Sequence, residues 1–102
     1  MIPLRNCFVI CYDIADPKRW RSIYRLLLGV GDPVQFSVFR CDLSRSEKII
    51  LLEKLLPTMN QGEDRLMFIN LGPAGSHHSG EDRLECIGKA LSEMPERKAV
   101  VI

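Results

Sequence analysis

Residues 7–13 (CFVICYD) form an almost continuous apolar run that ends in an aspartate. A short run of this kind, rich in residues that favour strands, predicts a β-strand buried on both faces. Such a strand lies inside a sheet, so the rest of the chain must supply neighbouring strands and a covering layer. At 102 residues the chain has room for one such sheet, and we expect a single domain over residues 1–102.

Two helices are expected to form the covering layer. Asp16 is a good N-cap and Pro17 a good first residue for the first helix. Its apolar stripe, at helical spacing, comprises Trp20, Ile23, Tyr24, Leu27 and Leu28. The second helix begins after a capping-box sequence at residues 44–47 (SRSE). We expect it to end where Pro57 interrupts the helical pattern.

The remaining apolar segments predict strands. Residues 34–43 alternate with period two in their centre and are predicted to be one strand, or a short strand followed by a longer one. A turn is expected at residues 29–33, and a further strand over residues 65–71. The resulting order fits an α+β, ferredoxin-like βαββαβ domain with both helices on one face of the sheet.

The last third of the chain has a weaker pattern. Residues 72–82 are predicted to be a flexible loop, which contains His77 and His78. Adjacent histidines in a Gly/Ser-rich loop are typical of exposed residues, and we expect no metal site there. Residues 83–102 form a C-terminal segment in which residues 83–87 could be a short helix or a strand and residues 99–102 are expected to be a terminal strand.

The overall charge is close to balanced, at +1, which excludes a strongly cationic nucleic-acid-binding tail. Residues 1–45 nevertheless contain seven Lys and Arg against four Asp and Glu, which indicates a basic face in the first half. The apolar runs are far shorter than the roughly 18 residues of a membrane span. We therefore expect a cytoplasmic protein with no membrane contact, whose four cysteines are buried thiols.

Asp13 is the leading candidate for a functional residue. It follows a buried strand at a sheet end where ligand sites are common, and Asp16 already supplies the helix cap. One carboxylate holds only part of a magnesium shell, so a site needs a second acid. Asp13 of a second chain would supply that acid across a two-fold axis.

Several arginines follow Asp13 closely. Arg19, Arg21 and Arg25 lie on or beside the first helix, where their simplest role is that of a solvated helix face. Together they could track a phosphate backbone, to which arginine binds with a two-pronged geometry. Ser37, on the predicted strand, is either a phosphate donor or a small edge residue. Phe39, two residues further on, is expected in the core.

Two elements of the sequence carry a family resemblance. Residues 12–21 (YDIADPKRWR) lead into a leucine-rich helix, and residues 35–39 (QFSVF) precede the capped second helix. In this combination the chain resembles the CRISPR-associated protein two family, the small subunit of the CRISPR spacer-acquisition machinery. The resemblance covers most of residues 7–71. The chain ending also looks like the family's final β segment, and this likeness favours a strand over residues 84–87.

The resemblance implies a ferredoxin-like homodimer, in which the C-terminal strand of one chain often completes the sheet of the other. By the same analogy, Asp13 from each chain would hold Mg²⁺ in a metal-dependent endonuclease that acts on RNA or DNA. Arg19, Arg21 and Ser37 would position the nucleic-acid backbone. The sequence departs from the family pattern at residues 40–42 (RCD), where one carboxylate of the usual Glu-Gly-Glu is lost.

Two classes of function are compatible with these observations. The first is a magnesium-dependent endonuclease that uses Asp13. The second is a non-catalytic DNA-binding scaffold, in which the dimer bridges copies of the CRISPR integrase subunit and its basic faces guide the duplex. The endonuclease requires a metal site, whereas the scaffold requires only the dimer surface and phosphate contacts.

Overall fold

The computed structural model describes residues 4–75 and 84–88. Within this part, the chain forms six elements: β1 (Arg5–Asp13), α1 (Pro17–Leu28), β2 (Gly31–Gln35), β3 (Val38–Ser44), α2 (Arg45–Thr58) and β4 (Arg65–Pro73). This order confirms the α+β, ferredoxin-like βαββαβ fold expected from the sequence. None of the helices described is long and apolar enough to span a membrane.

The apolar run that dominates the sequence is the centre of the sheet. The strand order is β2-β3-β1-β4, and each pair of neighbours is antiparallel. β1 therefore has both of its backbone edges paired, to β3 on one side and to β4 on the other. The pairing with β4 shifts register between Asn6 and Phe8, close to the start of β1.

Both helices cover the same face of the sheet, and the hydrophobic core lies between the two layers. The buried core residues are Phe8, Ile10, Tyr12, Ile14, Trp20, Ile23, Leu27, Phe39, Cys41, Leu43, Leu51 and Leu55. Side chains alternate between the faces of a strand, so the intervening residues lie on the opposite side. We call that side the open face; its apolar residues are Val9, Cys11, Val38, Met67 and Ile69.

The predicted helix starts are confirmed. Asp16 Oδ2 accepts a hydrogen bond from the Arg19 backbone N–H at 3.0 Å, and Pro17 is the first helical residue. At α2 the capping box is complete: the Ser44 hydroxyl accepts from the Glu47 N–H, and the Glu47 carboxylate accepts from the Ser44 N–H. These hydrogen bonds satisfy N–H groups that a helix start otherwise leaves unpaired.

The predicted helix ends and buried stripe need two corrections. α2 continues through Pro57 to Thr58, because the fixed φ of proline fits a helix and Met59 N–H still donates to the Leu55 carbonyl at 3.1 Å. Leu28, expected in the buried stripe of α1, is 46% exposed. It is the last residue of α1 and lies about 100° around the helix from the buried Leu27.

The turn expected over residues 29–33 is shorter than predicted. β2 begins at Gly31 and includes Pro33, which an edge strand tolerates. The predicted strand over residues 34–43 is divided into β2 and β3. Ser37 lies in the turn between these strands rather than on a strand face.

β4 is longer than the sequence predicted, because it runs to Pro73 and takes in the first two residues of the expected loop over 72–82. The pairing of β4 with β1 reaches Pro73. The end of β4 is therefore determined by the neighbouring strand and not by local composition. Most of that loop, including His77 and His78, lies outside the described residues.

It remains a prediction that the C-terminal segment over residues 83–102 completes a sheet at a dimer interface. Residues 84–87, where a strand was expected, form no strand in the described part of this single chain. The strand expected over residues 99–102 lies outside the described residues. β4 is an edge strand of the sheet, and a strand from a second chain can add to such an edge.

The cysteines are free thiols, as expected, but they differ in exposure. Cys7 and Cys41 are buried, and burial raises the pKa of Cys41 to about 12, so its thiol is protonated at neutral pH. Cys11 is half-buried on the open face. Cys86 is exposed, which corrects the expectation that all of them are buried.

Replacing Gly31 by alanine is expected to destabilise the fold by about 1–3 kcal/mol. A Cβ at this position would lie 2.5 Å from the Arg40 carbonyl oxygen and closer still to the Cys41 sulfur, so β2 would have to move away from β3. Gly29→Ala is the matched control, because its Cβ would meet the Leu26 carbonyl at 3.4 Å and its φ of −72° suits alanine. Equal urea-unfolding midpoints for the two variants would contradict this packing argument.

Candidate active site at the end of the central strand

Asp13 is the last residue of β1 and is exposed. It belongs to the open face, because it follows Val9 and Cys11 at a spacing of two residues. Its carboxylate makes no hydrogen bond or ion pair with any residue in 4–75 or 84–88. This unpaired carboxylate is therefore available to a ligand or to a second chain.

The backbone on either side of Asp13 is firmly held. The preceding Tyr12 N–H donates to the Ser37 carbonyl at 3.1 Å, which ties the end of β1 to the β2–β3 turn. Asp13 itself is opposite the first residue of β4 in the sheet. Two residues later, the Ala15 N–H donates to Asp64 Oδ1 at 2.9 Å. The carboxylate is thus mobile only about its own side-chain bonds.

Asp64 is a buried carboxylate that joins three segments of the chain. Its side chain has 0% exposure. Besides the bond from Ala15, Oδ2 accepts from the Asn60 N–H at 2.8 Å and from Arg19 Nε at 2.8 Å, while Arg19 Nη2 lies 3.2 Å from Oδ1. Arg19 Nη2 also donates to Glu63 Oε1 at 3.0 Å. Charge-assisted hydrogen bonds of this number compensate for the burial of a carboxylate.

Among residues 4–75 and 84–88, two carboxylates have strongly lowered pKa values. The Arg19 hydrogen bonds, helped by the backbone N–H donors, hold the pKa of Asp64 at about 2, below its ordinary 3.8 and against the effect of burial. At the other end of β1, the Arg5 guanidinium donates two hydrogen bonds to Glu47, both 2.8 Å long. These bonds lower the pKa of Glu47 from 4.5 to about 2.

Arg19 and Ser37, both predicted to contact a nucleic-acid backbone, have structural contacts of their own. The Arg19 guanidinium is bound to Asp64 and Glu63, and its side chain is 26% exposed. The Ser37 hydroxyl accepts from Trp20 Nε1 at 3.4 Å, beside the end of β1. Their roles in binding nucleic acid stay predictions.

Arg21 and Arg25, together with Lys18, form an exposed basic stripe along α1. The three positions lie within about 60° of one another around the helix and span about 10 Å along it. None of the three makes an ion pair with a residue in the described part of the chain. The structure therefore separates these cations, which face solvent, from Arg19, which is engaged in the fold.

The open face carries exposed apolar side chains. Met67 and Ile69 on β4 are 50% and 41% exposed, and each is opposite a β1 residue of the same face. Arg65 is opposite Asp13 in the strand register, at one end of this surface. An apolar surface that ends beside an unpaired carboxylate is suited to contact with a second protein surface.

A single chain does not bring together enough ligands for a metal ion within the described residues. No group of three or more His, Cys, Asp or Glu side chains occurs there at metal-binding distance. Asp42, the acidic residue at the end of the segment that departs from the family pattern, is opposite Cys7 in the sheet. Since Cys7 is six residues from Asp13, Asp42 is about 20 Å away along the strands.

Asp64 is the residue that the sequence analysis missed. It lies in the turn before β4, where acidic residues are ordinarily exposed, so composition gave no sign of its burial. The predicted strand topology could have indicated the position of Asp64. Because β4 runs antiparallel to β1, the start of β4 must lie beside the end of β1, which brings residue 64 close to Ala15.

The fold and this site define a class: a small ferredoxin-like domain with an unpaired carboxylate at the end of its central strand. Residues 6–76 match the model of the family described as CRISPR associated protein Cas2. The chain belongs to the Cas2 family, as the sequence resemblance indicated.

Individual relatives support this assignment along nearly the whole chain. CRISPR-associated endoribonuclease Cas2 1 of Rhodospirillum rubrum is 36% identical over 97 residues, which are 95% of this chain and 91% of that protein. CRISPR-associated endoribonuclease Cas2 of Geobacter sulfurreducens is 29% identical over 99 residues, 97% of this chain and 100% of the relative. The crystal structure of Streptococcus pyogenes Cas2 at pH 6.5 superposes with a TM-score of 0.70 at 25% identity and covers 80% of this chain and 99% of that one.

The free energy of unfolding is expected to fall as the pH decreases from about 4.5 to 2. Asp64 and Glu47 both have folded-state pKa values of about 2, below their ordinary values of 3.8 and 4.5. The unfolded chain therefore takes up protons first as the pH falls, which favours unfolding. Urea unfolding measured across this range should show Asp64→Asn less stable than the wild type at pH 7 but with a flatter pH dependence. A curve for Asp64→Asn that runs parallel to the wild type would contradict the prediction.

Proposed function

We propose that this chain is a dimeric, magnesium-dependent endonuclease of the spacer-acquisition stage of CRISPR immunity, with Asp13 of each chain as a metal ligand. The observation that supports it best is the unpaired Asp13 carboxylate on the open face of the sheet. The relatives from Rhodospirillum rubrum and Geobacter sulfurreducens are named endoribonucleases, so RNA is the first substrate to test and DNA the second. The proposed location in the cytoplasm stays a prediction.

The exposed apolar residues of the open face support dimerisation through that face. The exposed Met67 and Ile69 would be removed from water if two open faces met around a two-fold axis. Asp13 lies on the same face, so an axis that passes close to the end of β1 would bring the two carboxylates towards each other. The C-terminal segment over residues 83–102 would add to the outer edge of β4 of the other chain.

The residues of one chain fit half of a magnesium site. Mg²⁺ prefers oxygen ligands and commonly takes one or two carboxylates together with water and phosphate oxygens. Two Asp13 carboxylates, one from each chain, meet this requirement without any further acid. When bound, Mg²⁺ supplies neutralisation of the charge that develops on the scissile phosphate and activation of water.

Exposed basic residues on α1 support contact with a nucleic acid on the helix side of the sheet, which is the side opposite the open face. Arg21 and Arg25 face solvent on α1 and have no acidic partner among the described residues, so their guanidinium groups can bind phosphate oxygens. Ser37, beside the end of β1, can donate its hydroxyl proton to a phosphate, because its described bond uses the oxygen as an acceptor.

The alternative is a non-catalytic DNA-binding scaffold that bridges dimers of the CRISPR integrase. The basic stripe of Lys18, Arg21 and Arg25 supports the scaffold as well as it supports the endonuclease, because binding to phosphate through these residues needs no metal. The two functions differ in their use of Asp13. The scaffold uses only the dimer surface and the phosphate contacts.

Asp13→Asn is expected to reduce magnesium-dependent cleavage of RNA at least about 100-fold, since loss of a ligand should cost more than loss of a supporting contact. The chelator EDTA should abolish wild-type cleavage, and added Mg²⁺ should restore it. Gel electrophoresis of labelled RNA and DNA measures cleavage, and light scattering measures the dimer, which should stay intact.

Asp16→Asn is the matched control for this experiment. It makes the same change three residues away, and asparagine is as good an N-cap as aspartate, so cleavage should be retained. Unchanged cleavage by rigorously purified Asp13→Asn would overturn the catalytic assignment. The scaffold would then be supported if Asp13→Asn still allowed spacer acquisition together with the integrase subunit.

Arg21→Gln and Arg25→Gln are each expected to weaken nucleic-acid binding and to make it less sensitive to salt. Each phosphate contact that is lost should reduce the slope of log K against log salt by about 0.9 on duplex DNA and about 0.7 on single strands. Fluorescence anisotropy over a range of salt concentrations measures both quantities.

Arg5→Gln serves as the control, because the Arg5 guanidinium is bound to Glu47 in the folded chain. Its salt slope should match that of the wild type. If Arg5→Gln changed the slope as much as Arg21→Gln and Arg25→Gln do, binding would depend on overall charge rather than on the stripe along α1.

A further inference from the structure

We propose that Arg19 and Asp64 form a clamp that holds the chain just after Asp13, so that Arg19 is a positioning residue and not a phosphate contact. The inference rests on the proposed nuclease function and assigns a role to two residues outside the metal site. It revises the role that the family resemblance implies for Arg19. The clamp comprises the side chains of Arg19 and Asp64 and the backbone N–H groups of Ala15 and Asn60.

The clamp joins segments that are distant in sequence. Arg19 is on the first turns of α1, and Asp64 lies 45 residues later, at the start of β4. Asp64 Oδ1 accepts from the Ala15 N–H, and Oδ2 accepts from the Asn60 N–H and from Arg19 Nε. Since Ala15 is two residues from Asp13, this network fixes the direction in which the chain leaves β1.

The geometry leaves Arg19 poorly suited to bind phosphate. A guanidinium binds an anion in a two-pronged manner through paired N–H groups. The Nε and Nη2 edge of Arg19 is already used in this way by Asp64, and Nη2 also donates to Glu63. A phosphate that took this edge would leave the fully buried Asp64 carboxylate without its cation, which is costly.

The clamp matters for catalysis because a ligand must be held accurately. Asp13 has no side-chain partner of its own in the described structure, so the position of its backbone sets the region that the carboxylate can reach. A shift of about 1 Å in a reacting group can lower a rate about 100-fold. Loosening the Ala15 contact should therefore reduce turnover without removing any group that touches the substrate.

The test compares Arg19→Gln, Asp64→Asn and the double variant, each in the full chain and at a temperature at which it is fully folded. Each single change should lower kcat for RNA about 10- to 100-fold, as loss of a residue that supports a ligand does, with KM unchanged. The double variant should be no slower than the slower single variant. Hydrogen exchange measured by NMR should accelerate at the Ala15 amide in all three.

Salt dependence separates the clamp from a phosphate contact. Under the clamp, Arg19→Gln keeps the wild-type slope of binding against salt. A slope lower by about 0.7 on single-stranded RNA, or single-variant losses that multiply in the double variant, would overturn the proposal. Unchanged exchange at the Ala15 amide in Arg19→Gln would also overturn it.

Glu47→Gln is the matched control. It weakens the arginine–carboxylate pair that ties the opposite end of β1 to α2, while glutamine preserves the capping box. The kcat of folded Glu47→Gln should equal that of the wild type. If kcat depended only on overall stability, Glu47→Gln would lower it as Arg19→Gln does. If the wild type shows no cleavage that depends on Asp13, the nuclease function fails, yet Ala15 exchange and the salt slope still decide whether Arg19 holds the loop.

Discussion

The paired and buried position of β1 is the constraint on which the rest of this structure depends. Its two backbone edges are bonded to β3 and β4, and Phe8, Ile10 and Tyr12 are packed under both helices. The strand therefore has no freedom to shift without breaking two ladders and the core at once. Asp13 inherits this rigidity, because it is the last residue of the same strand. A surface carboxylate on a loop would have no comparable support.

The structure gives the three arginines that follow Asp13 two different environments. Arg21 and Arg25 face solvent from α1, whereas Arg19 turns inward to the buried Asp64. Arg21 and Arg25 are available to an external anion, whereas Arg19 forms an ion pair within the fold. A basic sequence segment can thus contain both binding and structural cations, and only their acidic partners distinguish them. This division gives the site a rigid base and a separate basic surface.

The accuracy of the sequence prediction varied with the range of the interactions involved. The starts of α1 and α2 were predicted correctly because Asp16 and Ser44 bond to residues within three positions of themselves. The element ends were less accurate. α2 passes through Pro57, and β2 begins at Gly31, because packing and strand pairing outweigh local breakers there. The central strand, the core position of Phe39 and the βαββαβ order followed from apolar patterning.

The sequence by itself determined the central strand, the capped helices, the family and Asp13 as the residue of greatest interest. These features depend on apolar periodicity and on contacts between near neighbours, which a sequence records directly. Tertiary structure alone decided that Asp64 is buried, that it binds Arg19, and that Asp13 shares the open face with Met67 and Ile69. These features arise from pairs of residues that are far apart in the chain. Such residues interact only after the sheet has formed and brought them together.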